Sequence, residues 1–208
     1  MIKNIINILA ISTVAFTFNA CGLKNFFIDK EDELTEANKC QVLKRTEKDA
    51  CYNKILETNS YAMIRVAVNE GQKRNPEKAL EYFAKAKELG NHHANLGEAY
   101  IYFKGMGVKK NSAKAATILE EVAEKSPNAA FQLARFYLTG DGVKKDVDRG
   151  IELLEFSAEE GLYNSQKKLY EIYTNGDFGL NKNSDKANKW KKIFTNNKRN
   201  DFLEAYKY

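Results

Sequence analysis

Three stretches of the chain are variations on one sentence: GMGVKKNSAKA from Gly105, GDGVKKDVDRG from Gly140 and GDFGLNKNSDKA from Gly176. A glycine–glycine–aliphatic–basic–polar turn that returns about every 35 residues marks an array of like units, each burying an apolar face against its neighbours. After each turn an Asn or Asp stands where a helix cap belongs: Asn111, Asp146 and Asn183, with Asn75 as an earlier copy followed by Pro76 at the first helical position. Behind the caps, apolar residues fall at helical spacing: Tyr82, Phe83 and Ala86; Ile118, Leu119 and Val122; Leu153, Leu154 and Ala158; Trp190 and Phe194. Gly90 and Gly161 follow two of these helices as left-handed stops.

A second helix precedes each turn. Ala129, Leu133, Ala134 and Tyr137 share a face, as do Ser165, Leu169, Tyr170 and Tyr173. Leu96, Gly97 and Tyr100 are the expected counterparts in the copy before, with two extra residues ahead of Gly105. The turns therefore join antiparallel helices. Gly105, Gly107, Gly140, Gly142, Gly176 and Gly179 supply positive backbone angles, and Val108, Val143 and Leu180 are expected to bury between the helix ends. A phosphate loop needs G-x-x-x-x-G-K-[ST] between strand and helix, and here a helix precedes the glycines. Calcium loops need alternating oxygen ligands and a closing Glu, which Asp141, Asp146 and Asp148 do not provide.

Composition agrees with an all-helical body: 208 residues, 43% hydrophobic and only two prolines. The formal charge of +5 is spread among alternating acids and bases rather than gathered on one stripe, which argues against a nucleic-acid partner.

The run from Ala129 to Asp146, Ala-x-x-x-Leu-Ala-x-x-Tyr-x-x-Gly-x-Gly-Val-x-x-Asp, resembles the Sel1-like repeat, a relative of the tetratricopeptide repeat. The resemblance implies a right-handed all-α solenoid of about four helix pairs over residues 61–197. A helical cap is expected over 29–60 and a short closing helix over 198–208. Repeats of this kind commonly act as adaptors, so the resemblance implies a protein partner. Stacked pairs curve, with the first helices lining the concave side. Their sides turned away from the packed faces carry Asn95 and Glu98, Gln132 and Arg135, and Lys168 and Glu171, the expected partner-binding residues.

Residues 1–20 differ from the rest. Lys3, an apolar run from Ile5 to Phe18, and Phe18-Asn19-Ala20-Cys21 resemble a bacterial lipoprotein signal, with Cys21 the lipidated residue and 21–28 a tether. That reading places the protein in the periplasm on a membrane, and Gly22 fits sorting to the outer membrane. The two remaining cysteines, Cys40 and Cys51, form an even pair in an oxidising compartment. A single helix would hold them about 16 Å apart, so a disulfide requires a turn between them, with Thr46 as the expected cap of a second helix.

Groups fit for catalysis are sparse. His92 and His93 are adjacent and point about 100° apart on a helix, so they do not chelate one metal. Ser165-Gln-Lys-Lys168 matches S-x-x-K, but the S-D-N and K-T-G partners of penicillin-recognising enzymes are missing. Cysteine-rich Sel1-like proteins that bind or hydrolyse β-lactams carry a cysteine pair in each repeat, and these repeats carry none; that activity stands as an alternative. The reading that follows is a binding protein with no cofactor, no metal and no catalytic residues. Small exported Sel1-like lipoproteins resemble immunity proteins that neutralise secreted lipase effectors, and also envelope or secretion adaptors.

Overall fold

A computed structural model describes residues 30–197. The expected leader with Cys21, the expected tether and the expected closing helix at 198–208 lie outside the described residues. Within them stand ten α-helices: α1 Lys30–Gln41, α2 Arg45–Ile55, α3 Ser60–Gln72, α4 Pro76–Glu88, α5 His93–Lys104, α6 Ser112–Glu120, α7 Pro127–Thr139, α8 Val147–Glu159, α9 Tyr163–Asn175 and α10 Ser184–Asn196. No strand occurs among the described residues, and no described helix is long and apolar enough to cross a membrane. Successive helices pack in antiparallel pairs, α3 with α4, α5 with α6, α7 with α8 and α9 with α10, to form an α-solenoid.

The turn chemistry explains the pairing. α5, α7 and α9 each end on a left-handed glycine, Gly105, Gly140 and Gly176, whose N–H closes on the carbonyl of Ile101, Phe136 and Ile172. The chain then returns so that the N–H groups of Asn111, Asp146 and Asn183 donate to the carbonyls of Tyr102, Tyr137 and Tyr173, at 2.8, 3.0 and 2.8 Å. This lock fixes the register of the last three pairs; in the first, the Asn75 N–H donates to the Glu70 carbonyl instead. It also corrects the second repeat: Ala94, Glu98, Ala99 and Tyr102 take the places of Ala129, Leu133, Ala134 and Tyr137, with no extra residues before Gly105. The side chains of Asn111, Asp146 and Asn183 accept from the backbone N–H three residues on, as helix caps do. Asn75 does not. Its amide turns back to donate to Glu70, and Pro76 opens α4 without it.

The second glycine of the α5–α6 and α7–α8 turns has a different task. A Cβ on Gly142 would lie 2.4 Å from the Ala113 nitrogen, and one on Gly107 2.7 Å from Pro76 Cδ. These two turns thus sit on the start of the preceding pair's second helix, and only glycine permits that approach, whereas a Cβ on Gly179 would meet nothing within 4 Å. Val108, Val143 and Leu180 are half-buried rather than buried, because the turns lie at the rim. The fourth turn holds one more residue, and Phe178 takes a positive φ of 62° inside it.

α1 and α2 form a smaller hairpin closed by the Cys40–Cys51 disulfide, with Cα atoms 5.5 Å apart. The reversal falls on Val42–Lys44, and α2 opens at Arg45 with Lys44 as its cap, not Thr46. Bringing Cys51 beside Cys40 leaves no room for a later reversal. The cap docks on the repeats through polar contacts. The buried Glu33 carboxylate accepts from the Ser60 N–H at 2.7 Å, from the Ser60 hydroxyl and from Lys30 at 2.6 Å, at the N-terminus of α3. Asn59 and Asn91 complete the cluster by donating to the Glu33 carbonyl and to Ser60 Oγ. Three apolar clusters follow along the stack: one around Cys40, Tyr52 and Tyr61, one around Ile64 and Phe83, and a larger one from Ala99 to Trp190.

Candidate functional site

The first helices of the pairs enclose a groove of about 920 Å³. α3 contributes Val68 and Gln72, α5 contributes Tyr100, Phe103 and Lys104, α7 contributes Phe131, Gln132 and Arg135, and Asn164 closes the far end at the start of α9. The sequence produces this shape at Gly97. A Cβ there would meet the Phe83 ring at 2.2 Å, so the bare backbone lets Phe83 rise beneath the groove floor. Gly97 stands where Gln132 stands in the next repeat.

The lining is aromatic and cationic. Tyr100 is 54% exposed, and Phe103 meets Phe136 edge to face at 5.3 Å. Lys104 Nζ lies 5.8 Å from the Tyr100 ring centroid and 5.2 Å from that of Phe103, and Lys110 lies 5.5 Å from Phe103. Arg135 Nη1 donates to Gln132 Oε1 at 2.8 Å and remains exposed. Flat rings beside unspent positive charge suit a partner that brings apolar and acidic side chains together.

Of the six expected binding residues, Gln132 and Arg135 line this groove. Asn95 does not: it is 3% exposed and donates to the Ile118 carbonyl and to Glu121, bracing α5 against α6. Glu98 is half-buried and paired with Lys87 at 2.5 Å, between α5 and α4. Lys168 and Glu171 pair with each other at 3.4 Å. The register explains the displacement. Asn95 and Glu98 share the packed face with Ala94 and Ala99, so Tyr100, expected in the core, is the residue that faces the groove, and Tyr102 takes the packing place. The signal lay in counting back three residues from the first glycine of each turn, which gives Tyr102, Tyr137 and Tyr173 alike.

The other chemical candidates are not assembled. Ser165 is fully buried and shares a 2.6 Å hydrogen bond with Ser157, while Lys168 turns to Glu171. No group of three or more His, Cys, Asp or Glu is placed to hold a metal among the described residues. His93 packs beside Tyr61, ring centroids 5.9 Å apart. Burial, helped by the charge of His92, holds its pKa down at about 4.

The Sel1 repeat profile matches residues 60–91, 93–125, 127–162 and 171–190, more than half of the chain. A curated relative is similar: the ERAD-associated E3 ubiquitin-protein ligase component HRD3B of Arabidopsis thaliana, 33% identical over 147 residues. That match covers 61% of this chain and 23% of the plant protein. Among solved structures, a Sel1 repeat protein from Oxalobacter formigenes superposes with a TM-score of 0.69 at 20% identity, over 80% of this chain and 73% of that one. The c5321 protective antigen of uropathogenic Escherichia coli strains, described as an SLR fold, gives 0.61 at 19% identity, over 82% and 39%. At these identities the two structures speak for the fold.

Proposed function

The chain belongs to the Sel1 repeat family, and from that premise we propose that it is a binding protein that grips a protein partner in the groove between α3, α5 and α7. The observation that carries this reading is the Tyr100–Phe103–Phe131 floor flanked by Lys104 and Arg135. Exposed aromatic and arginine side chains in a concave setting are where binding energy concentrates. HRD3B is named as a component of a ligase, which supports reading such repeats as parts of an assembly.

In its most specific form the proposal is an immunity protein. Exported by the leader and held on a periplasmic membrane through Cys21, it occludes a secreted lipase. Such an inhibitor needs a complementary surface and no catalytic group. The test is capture of a secreted lipase by the chain and its inhibition, with the wild-type chain against a Phe131→Ala/Arg135→Glu double variant. Stoichiometric inhibition by the wild type and its loss in a folded double variant are expected. Equal inhibition by both removes the groove from the account. No inhibition by either removes the immunity reading and leaves an envelope or secretion adaptor, to be tested by capture with the same pair. Replacing Cys21 with Ser is expected to release the protein from membranes; retention would refute the lipid anchor.

A further inference from the structure

The solenoid has two long edges, and they carry opposite charge. At one edge lie the turns within each pair. There Lys44, Lys109, Lys110, Lys144, Lys145 and Lys182 are all exposed. The turns from α3–α4 to α7–α8 form a continuous ridge, because Gly107 sits on Pro76 and Gly142 on Ser112 and Ala113. Of the acids on this edge, Asp146 is spent as the cap of α8 and Asp141 and Asp177 are half-buried. Glu77, Asp148 and Asp185 stay exposed, fewer than the lysines, so the edge is basic by excess. The opposite edge, between pairs, exposes Glu88, Glu124, Glu159 and Glu160 against Lys125, so it is acidic by excess. Its Lys85 and Lys87 are already paired with Glu81 and Glu98.

The disulfide hairpin adds an apolar tip to the basic edge. α1 runs beside α3 in the same direction: Glu33 meets Ser60, and Arg65 donates to Asn38 at 3.4 Å. The reversal after α1 therefore lies with the turn after α3, in line with the lysine ridge. Val42 there is 85% exposed, and Leu43 beside it is exposed as well. A disulfide a few residues away holds this pair outward.

We propose that this edge, led by Val42 and Leu43, docks on the phosphate headgroups of an anionic lipid bilayer. Lysines near such a surface are each worth about a fivefold gain in affinity, and an adjoining apolar tip gains further by entering the acyl boundary. An acidic protein surface would satisfy the lysines but not a valine at the outermost point of the hairpin. The acidic edge makes the orientation unique. The edge borders the groove, since Met106 and Asp141 of its turns line the groove and Lys110 lies over Phe103, so vesicle binding is read with no protein partner present.

The test uses the full chain carrying Cys21→Ser, so that no acyl chain contributes, and co-sedimentation with vesicles. Phosphatidylcholine alone is compared with phosphatidylcholine containing phosphatidylglycerol. The apolar run near the N-terminus is common to all samples, and the neutral vesicles measure its share. Anionic vesicles are expected to bind at least about tenfold more tightly. A K109E/K110E/K144E/K145E variant, its fold checked by circular dichroism, is expected to lose that preference. A Val42→Trp reporter is expected to shift its emission to the blue on anionic vesicles, over the constant signal of buried Trp190. Equal binding to both vesicle types, a preference that survives the quadruple reversal, or an unshifted reporter overturns the proposal.

Discussion

Replacing Gly142 with Ala asks whether the turns stack on one another as described, and Gly90 supplies its control. Both residues have a φ of +78°, so alanine pays the same left-handed penalty at each, about 1 kcal/mol. Their surroundings differ. A Cβ at Gly90 meets nothing within 4 Å, whereas at Gly142 it lies 2.4 Å from Ala113 N and Ser112 C and 2.6 Å from Ser112 Cβ. Backbone must move at the second site, and overpacking of this kind costs a further 1–3 kcal/mol, roughly. Gly90→Ala is therefore expected to destabilise by about 1 kcal/mol and Gly142→Ala by about 2–4. Urea unfolding followed by circular dichroism measures both, and the m-values show whether cooperativity between repeats survives. The contact lies between neighbouring repeats, so Gly142→Ala is also expected to broaden the transition. Equal losses in the two variants would refute the close approach of turn to helix.

Other expectations follow from the same structure. Removing the disulfide with Cys40→Ser/Cys51→Ser is expected to cost about 2–3 kcal/mol, with loss of amide protection confined to α1 and α2. His93 is held neutral by burial, with a pKa of about 4 against an ordinary value near 6.5. Because the folded value is the lower one, its contribution is fully present above about pH 6.5 and is lost as pH falls towards 4, up to about 3 kcal/mol; a flat stability profile over that window in wild type, or an unchanged one in His93→Gln, would contradict it. Ser165→Ala is expected to cost about 1 kcal/mol through its hydrogen bond to Ser157 and to leave nitrocefin hydrolysis at background, as in the wild type.

The fold was legible because its determinants are local. A left-handed glycine, an aliphatic residue and a cap three residues later specify a helical hairpin without reference to distant residues, and Gly140–Asp146 shows the whole device. The groove was legible only in part, because its lining depends on register. A shift of two residues in the second repeat moved Tyr100 into the expected core and Asn95 onto the expected surface, and the structure exchanges them. Polarity did not warn of the error: Asn95 is buried because Ile118 and Glu121 accept its amide, a contact 23 and 26 residues away in the chain. Glu98 misled in the same way, since Lys87 on the preceding helix neutralises it. The edge charges were hidden for another reason. Lysines and acids alternate along the chain, and they separate into a basic and an acidic edge only once the helices fold back on themselves.

The most direct test of partner binding in the groove is a photo-crosslinking residue placed at Tyr100, on the groove floor, and in parallel at Glu152, exposed on the outer helix α8. In native cells the Tyr100 probe is predicted to capture one protein in a defined complex, suppressed by an excess of wild-type chain, while the Glu152 probe captures none. Capture of the same protein from both positions, or from Glu152 alone, would contradict a partner held in the groove.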